Sequence, residues 1–315
     1  MTAKESKKKH IVVFHYSQTG QLTSILSALT NPLEESGCRV TYKDIVPKIP
    51  FVFPWSEYNF YESFPESRLE IPAEIEQIDF SDVMDADLVV LGYQPWFLAP
   101  SIPFASFIRE ESVQNYLSGR TVMTVIGSRN MWISAHLSVE ERLRKYGCNW
   151  VGNIALEDRH NNLVGVLTVF RWLIRGQKSA SRYLPEAGIS HSDILSVADI
   201  APSMLYALNS GVWDDLQKEI VDRGLVQFHP GLYFVESNGN RLWGKWAQFI
   251  INKGGYKDPR RAFRLTLFKY YLLTVIFAVS PFGSLFFLLT YPLRRTGLQK
   301  IGQKILFLQR EKIEK

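Results

Sequence analysis

The stretch that most limits what this chain can become is His10–Thr23, HIVVFHYSQTGQLT. Ile11-Val12-Val13-Phe14 is apolar without a break, the pattern of a strand covered on both faces. Ser17-Gln18-Thr19-Gly20 then turns the chain into a helical pattern with Leu22, Ile25, Leu26 and Leu29 on one side. A buried strand feeding directly into a helix leaves free backbone N–H groups at the strand's carboxyl end. That is an anion site.

The loop discriminates among anions. It has one glycine where the dinucleotide fingerprint needs three, and it lacks the Gly-Lys-Ser/Thr ending of a nucleoside triphosphate loop. It offers the hydroxyls of Ser17, Thr19 and Thr23, backbone N–H groups and no Lys or Arg. This donor set suits one terminal phosphate held as a dianion. Tyr16-Ser17-Gln18-Thr19-Gly20 resembles the phosphate loop of flavodoxin-like proteins, which holds the phosphate of flavin mononucleotide (FMN). The resemblance implies that Ser17, Gln18, Thr19, Gly20, Gln21 and Leu22 contact FMN. The family usually places Thr two residues after the glycine, where this chain has Leu22 with Thr23 next. An ordinary strand–turn–helix with a polar turn is the plain alternative.

Further strands are predicted at Gly37–Tyr42, Ala86–Tyr93, Gly119–Gly127 and Cys148–Leu156, with helices from about Phe104 to Leu117 and from after Trp132 to about Gly147. Five strands alternating with helices predict a doubly wound α/β parallel sheet with right-handed crossovers. Such sheets bind ligands beyond the strands' carboxyl ends, where the strand order reverses. The loops Ser17–Gly20, Gln94–Ser101 and Ser128–Trp132 should therefore gather on one edge. In flavodoxin-like proteins the second of these flanks the flavin ring, often with an aromatic residue, and Pro95, Trp96, Phe97 and Leu98 match it. From the third, Gly127, Ser128, Asn130 and Trp132 are expected at the flavin's polar edge, with Arg129 set against negative charge on reduced flavin or a substrate enolate. Core packing of Trp96 and Trp132, and a surface ion pair for Arg129, are the structural alternatives. Between the second and third strands, Val46–Ser67 holds Pro47, Pro50, Pro54 and Pro65 among seven aromatic residues. The prolines argue against a regular element and the aromatics against a solvated linker, so an ordered loop is expected, either a lid or a cover on the chain's own helices.

At 315 residues the chain holds one large domain or two small ones. Two cysteines, Cys38 and Cys148, form neither a disulfide framework nor a metal cluster, which makes a reduced, cytoplasmic setting the default. MTAKESKKKH lacks the apolar core of a signal peptide and reads as a solvated lysine tail. No metal and no nucleic-acid partner are expected. Later helices are predicted at Asn161–Gly176, Ile194–Leu208, Asp214–Arg223 and Asn240–Ile251, with a short strand at Leu232–Val235. Tyr270–Leu293 carries no charge over 24 positions, where a membrane helix needs about 20. Ser280-Pro281-Phe282-Gly283 interrupts it, and Lys253, Lys257, Arg260, Arg261, Arg264 and Lys269 precede it while Arg294, Arg295, Lys300 and Lys304 follow. The turn signal and two basic flanks predict a helical hairpin dipping into one leaflet from the inner face of the cytoplasmic membrane. A kinked spanning helix, or a dimerisation hairpin in a homodimer, are the alternatives. The expected organisation is a flavodoxin-like FMN-binding domain over 1–180, a helical elaboration over 181–255 and a membrane-associating segment over 256–315.

Phe14–Thr23, Gly92–Leu98, Ile126–Trp132 and Val151-Gly152-Asn153-Ile154 together resemble flavodoxin-like proteins known as dialkylresorcinol condensing enzymes, which accompany aryl polyene and flexirubin-type pigment clusters in bacteria. The resemblance implies an aromatase. A ketosynthase-like partner joins two chains into a cyclohexanedione, and the flavoprotein dehydrogenates that hydrophobic ring to a resorcinol. A base near the flavin is expected, with His136 and Tyr93 as candidates, although a lone histidine is more often structural. His15 is expected at the phosphate loop instead. A membrane NAD(P)H-dependent quinone reductase and a cofactor-less assembly protein are the competing readings.

Overall fold

In the computed structural model, which describes residues 8–307, each predicted core strand is present, and the apolar residues of all but the edge strand Arg39–Asp44 are buried. Residues 1–7 of the lysine tail lie outside the described residues, as do 308–315. β1 (His10–His15) leads through α1 (Gln21–Glu35) to β2 (Arg39–Asp44). The proline- and aromatic-rich stretch contains two short helices, α2 (Glu57–Glu62) and α3 (Phe64–Arg68), so its prolines did not exclude helix; Pro65 sits in a first turn, where no N–H is missed. Then follow β3 (Leu88–Tyr93), a small hairpin of β4 (Pro95–Trp96) and β5 (Ala99–Pro100), α4 (Ile102–Phe107), α5 (Glu111–Leu117), β6 (Thr121–Ser128), α6 (Ile133–Lys145) and β7 (Asn149–Glu157). One predicted helix, Phe104–Leu117, is thus two.

The sheet order is β2-β1-β3-β6-β7, with every pair parallel. Ile11 stands beside Val40 on one side and Leu88 on the other, and Val89 beside Val122. This is the flavodoxin-like order, and it puts the topological switch point between β1 and β3. β1 and β3 are buried along their whole length, which explains why their sequences do not alternate.

The chain continues through α7 (Asn162–Arg175), α8 (His191–Ser196), α9 (Ala201–Ser210), α10 (Leu216–Asp222), α11 (Pro230–Ile251), α12 (Ala262–Thr274) and α13 (Ser280–Leu306). Leu232–Val235, expected as a strand, is the first turn of α11; four apolar residues cannot by themselves tell strand from helix, and Pro230 is a helix-starting residue. The expected hairpin is also overturned. Pro259–Leu306 is one helix of 48 residues, and Ser280–Gly283 does not reverse the chain. Pro281 lacks the N–H that the Phe277 carbonyl would accept, and the hydrogen-bond ladder widens into a π-helical turn, Val275–Val279, just before it.

This helix is tied down at both ends. At its start Arg261 is fully buried among Glu62 and Glu66. At its far end Gly302 packs under the Phe228 ring, Ile305 joins the main core and Gln217 Nε2 donates to the Leu306 carbonyl at 2.6 Å. Between those anchors its most apolar 18-residue window is only 11% buried. A helix of 48 residues is about 70 Å long, more than twice a bilayer's hydrocarbon thickness, and with both ends held it runs along the protein. A second core joins α2–α3 to α11 and α12 through Tyr61, Phe64, Ala247, Ile250, Leu265, Phe268 and Leu272, with the rings of Phe64 and Phe268 stacked at 3.6 Å.

Candidate functional site

A cavity of about 360 Å³ opens over the carboxyl ends of β1, β3 and β6, where the three predicted loops meet. Its floor is Gln18, Thr19, Gln21 and Leu22 from the first loop, Gln94, Pro95, Trp96, Phe97 and Leu98 from the second, and Gly127, Ser128, Arg129 and Met131 from the third. One wall comes from the aromatic loop that was expected as a lid or a cover, and the others from elements that the sequence did not link to the cavity. Trp55, Phe60 and Tyr61 reach in from the aromatic loop, and Val166, Leu167, Val169, Phe170, Trp172 and Leu173 from α7. Trp243, Leu272, Leu273, Ile276 and Phe277 close the far side. The helical periodicity of α7 is legible in the sequence, but nothing in it says that the apolar face looks into a void.

Gly20 opens α1 with φ +80°, a conformation glycine takes without strain, and aims the helix N-terminus at the cavity. The first-turn N–H groups of Gln21 and Leu22 have no intrahelical acceptor. The Gln18 Nε2 is buried without a partner among the described residues, beside the Thr19 hydroxyl in the same wall. An orphaned donor, a hydroxyl and a helix N-terminus fit a phosphate dianion. The rest of the loop has other duties. Ser17 Oγ accepts the Thr23 N–H at 3.4 Å, Thr23 Oγ1 lies 3.3 Å from His15 Nε2, and neither lines the cavity. Thr23 therefore does not stand in for the hydroxyl that Leu22 lacks. The Gln21 side chain is paired in both directions with the backbone of Ile189, at 3.1 and 3.2 Å. That pairing requires Gly188, whose φ is +85° and where a Cβ would come within 2.8 Å of Gln21.

The second loop is a two-residue hairpin turn with Phe97 at φ +49° and Leu98 at φ +67°. Turns of this shape usually take Asn-Gly; two bulky residues here hold strain that packing must offset. Phe97 packs on Phe60 and Phe64, while Trp96 meets Tyr16, Phe51 and Trp55 edge-on at 5.0–5.8 Å. In the third loop Arg129 is half-buried and donates to the carbonyl and side-chain oxygens of Asn162 at 3.2 and 2.8 Å. Burial pulls its pKa down to about 10, with Asp158 pulling the other way, so it is still a cation at neutral pH.

Four expected residues lie away from this group. His136 is 1% exposed, wedged between Trp132 and Trp150 with ring centroids 5.2 and 5.1 Å away, and burial takes its pKa down to about 3. Tyr93 is wholly buried and stacked on Phe104, and burial pushes its hydroxyl well above its usual range. Trp132 is core beneath the loop, and Asn130 bonds to Asn162 at 3.0 Å; none of the four lines the cavity. Gly20 and Ser17 shape the loop without facing the void. Among the described residues no carboxylate or imidazole lines the cavity: its titratable groups are Arg129 and Tyr61, the latter pushed by burial to about 12.

No family model matches the chain, and no curated protein does. Among solved structures, a flavoprotein in complex with FMN from Lactobacillus acidophilus NCFM aligns with 47% of this chain and 92% of its own, at 18% identity and a TM-score of 0.35. A flavodoxin from the domain Archaea aligns with 64% of this chain and 99% of its own, at 12% identity and a TM-score of 0.37. Likeness at that level carries no argument, and the fold class rests on the strand order and register of this chain: it is flavodoxin-like.

Proposed function

We propose that this protein is an FMN-dependent oxidoreductase acting on a hydrophobic, ring-bearing substrate at a membrane surface, and that its reaction is the dehydrogenation of a dialkyl cyclohexanedione to a dialkylresorcinol. What supports the reading is the two-ended cavity, with the polar groups Gln18, Thr19, Ser128 and Arg129 at the sheet edge and aromatic or aliphatic walls elsewhere. The narrower choice of reaction rests on the sequence resemblance.

In this reading the N-terminus of α1, Thr19 and Gln18 hold the phosphate, and Trp96 and Trp55 supply aromatic walls for a flat ring. FMN, when bound, supplies the acceptor for two electrons. Conversion of the dione to the resorcinol would remove a hydride and a proton from the ring, and gain of aromaticity would drive the loss. A cyclic 1,3-dione gives up its proton readily, so the cationic Arg129 can hold the enolate without a protein base. The chain-bearing ring would come from a ketosynthase-like partner, and the exposed apolar helix would keep the protein on the inner face of the membrane.

The deciding experiment is the visible spectrum of the detergent-purified protein, followed by turnover of an alkyl cyclohexanedione with oxygen as acceptor. A yellow protein that releases the resorcinol supports the proposal. Rapid flavin reduction by NAD(P)H without dione turnover would favour a quinone reductase. A colourless protein that takes up no FMN would end the redox reading.

A further inference from the structure

Leu273, Ile276 and Phe277 face the cavity from the C-terminal helix, and Leu167, Phe170 and Leu173 face it from α7. Two of these belong equally to the outside: Leu167 is 45% exposed and Phe277 is 42% exposed. Residues that are at once cavity wall and outer surface mark an opening, and this one is apolar on both sides. α7 has the same character along its length. Only Gly165, Thr168 and Trp172 of its 14 residues are buried, although most of the helix is apolar. A soluble helix of that composition would normally be covered.

The apolar surface does not stop at the opening. From Phe277 the C-terminal helix continues with Phe282, Leu285, Leu289 and Leu293 exposed, Leu293 at 90%. Arg294 and Arg295 follow directly, also exposed. A contiguous apolar strip of this kind, closed by cations, is complementary to hydrocarbon beside anionic headgroups. The turn that carries Ile276 and Phe277 is the widened π-helical one, where the backbone ladder is least regular.

We propose that the gap between α7 and this turn is a port through which the alkyl chain of a bilayer-resident amphiphile passes into the cavity directly from the lipid. The chain is drawn along the apolar strip and in past Leu167 and Phe277, while its polar end is left to the Ser128–Arg129 side. The proposal rests on the membrane reading above and is independent of the flavin.

The test loads the full-length protein with a dansyl-labelled fatty acid presented in vesicles of phosphatidylcholine and phosphatidylglycerol, following energy transfer from the cavity tryptophans. Uptake from vesicles is expected, and the pair Leu167→Trp and Phe277→Trp should slow it by about tenfold or more, in the range expected when association must wait on an opening. The opposite pair, Leu167→Ala and Phe277→Ala, should speed it, which guards against a variant that is merely misfolded. Equal rates in all three proteins, or no uptake, would overturn the port. So would uptake that is as fast from water as from vesicles. Flavin absorbance recorded on the same samples separates the two readings, since lost FMN binding with gated uptake would remove the flavin assignment alone.

Discussion

The Arg261 guanidinium clasps the Glu66 carboxylate through two parallel bonds, Nη1 to Oε1 at 2.6 Å and Nη2 to Oε2 at 2.8 Å. Glu62 lies 2.9 Å from Nε and also accepts from the Lys257 N–H and the Tyr58 side chain. Burial holds the Glu62 carboxyl above its usual range even with Arg261 beside it. This cluster joins the first turn of the C-terminal helix to the short helices that carry Phe60 and Tyr61 into the cavity wall. Arg261→Ala strands two buried carboxyls and should cost about 3–5 kcal/mol, the usual result of removing one partner of a buried pair. Arg261→Lys should recover little of it, because an ammonium cannot make the paired geometry. Urea midpoints of the two variants, compared with the parent, check both statements.

His136 sets an acid limit on stability. Its folded pKa is about 3 against an ordinary value of 6.5, and burial is the cause, with Asn153 opposing. The unfolded chain therefore takes up the proton first as pH falls. The contribution is fully present above pH 6.5 and is lost between there and about 3, at about 1.4 kcal/mol per pH unit. His136→Phe removes the titration and gives up only the contact with Asn153. Between pH 7 and 5 the urea midpoint of the variant should fall less than that of the parent. Flavin retention should be the same in both, since the ring lies outside the cavity.

The sheet and the edge where its loops gather were legible because buried parallel strands leave runs such as Ile11–Phe14 and Leu88–Leu91 that nothing else explains. Loop convergence followed from topology alone, and it placed Thr19, Trp96 and Ser128 in one wall. Side-chain direction did not follow. Trp132 and Ser128 are four residues apart on the same loop, yet one is core and the other faces the void. The C-terminal helix misled for a definite reason. Ser-Pro-Phe-Gly is a turn signal in isolation, but proline breaks only one backbone bond, and a widened turn absorbs it. The roof contributed by Trp243 and Phe277 depends on contacts between segments far apart in the chain, and no local pattern carries those.

Within the first loop, structure divides what sequence treated as one set. Thr19 and the orphaned Gln18 Nε2 face the cavity, whereas the Ser17 hydroxyl is engaged by the Thr23 N–H. Thr19→Ala or Gln18→Ala should each weaken FMN binding by about 1–3 kcal/mol, the cost of leaving a charged oxygen without its donor. Ser17→Ala should instead lower stability by about 1 kcal/mol, as a lost helix cap does, and leave flavin affinity unchanged. Flavin titration by fluorescence alongside thermal melts distinguishes the two effects. Equal loss of affinity in all three variants would reassign Ser17 to the phosphate.

Membrane attachment is best tested on the exposed face, because the helix cannot simply be removed. Truncation near residue 260 would take Arg261 away from Glu62 and Glu66, Phe268 and Leu272 out of the second core and Phe277 out of the cavity wall. Phe282, Leu289 and Leu293 are 75%, 73% and 90% exposed, so changing them to Glu leaves the fold's contacts in place. Each such side chain gains about 1.5–3 kcal/mol on leaving water, and the triple variant should therefore be released from vesicles almost completely. Arg294, Arg295 and Lys300 add about 1 kcal/mol each near anionic lipid, a term that salt screens. The parent should accordingly bind vesicles containing phosphatidylglycerol more tightly than neutral ones, and the difference should shrink as salt is raised. A parent that ignores both kinds of vesicle, yet sediments as a dimer that the triple variant splits, would show that a second copy covers this face.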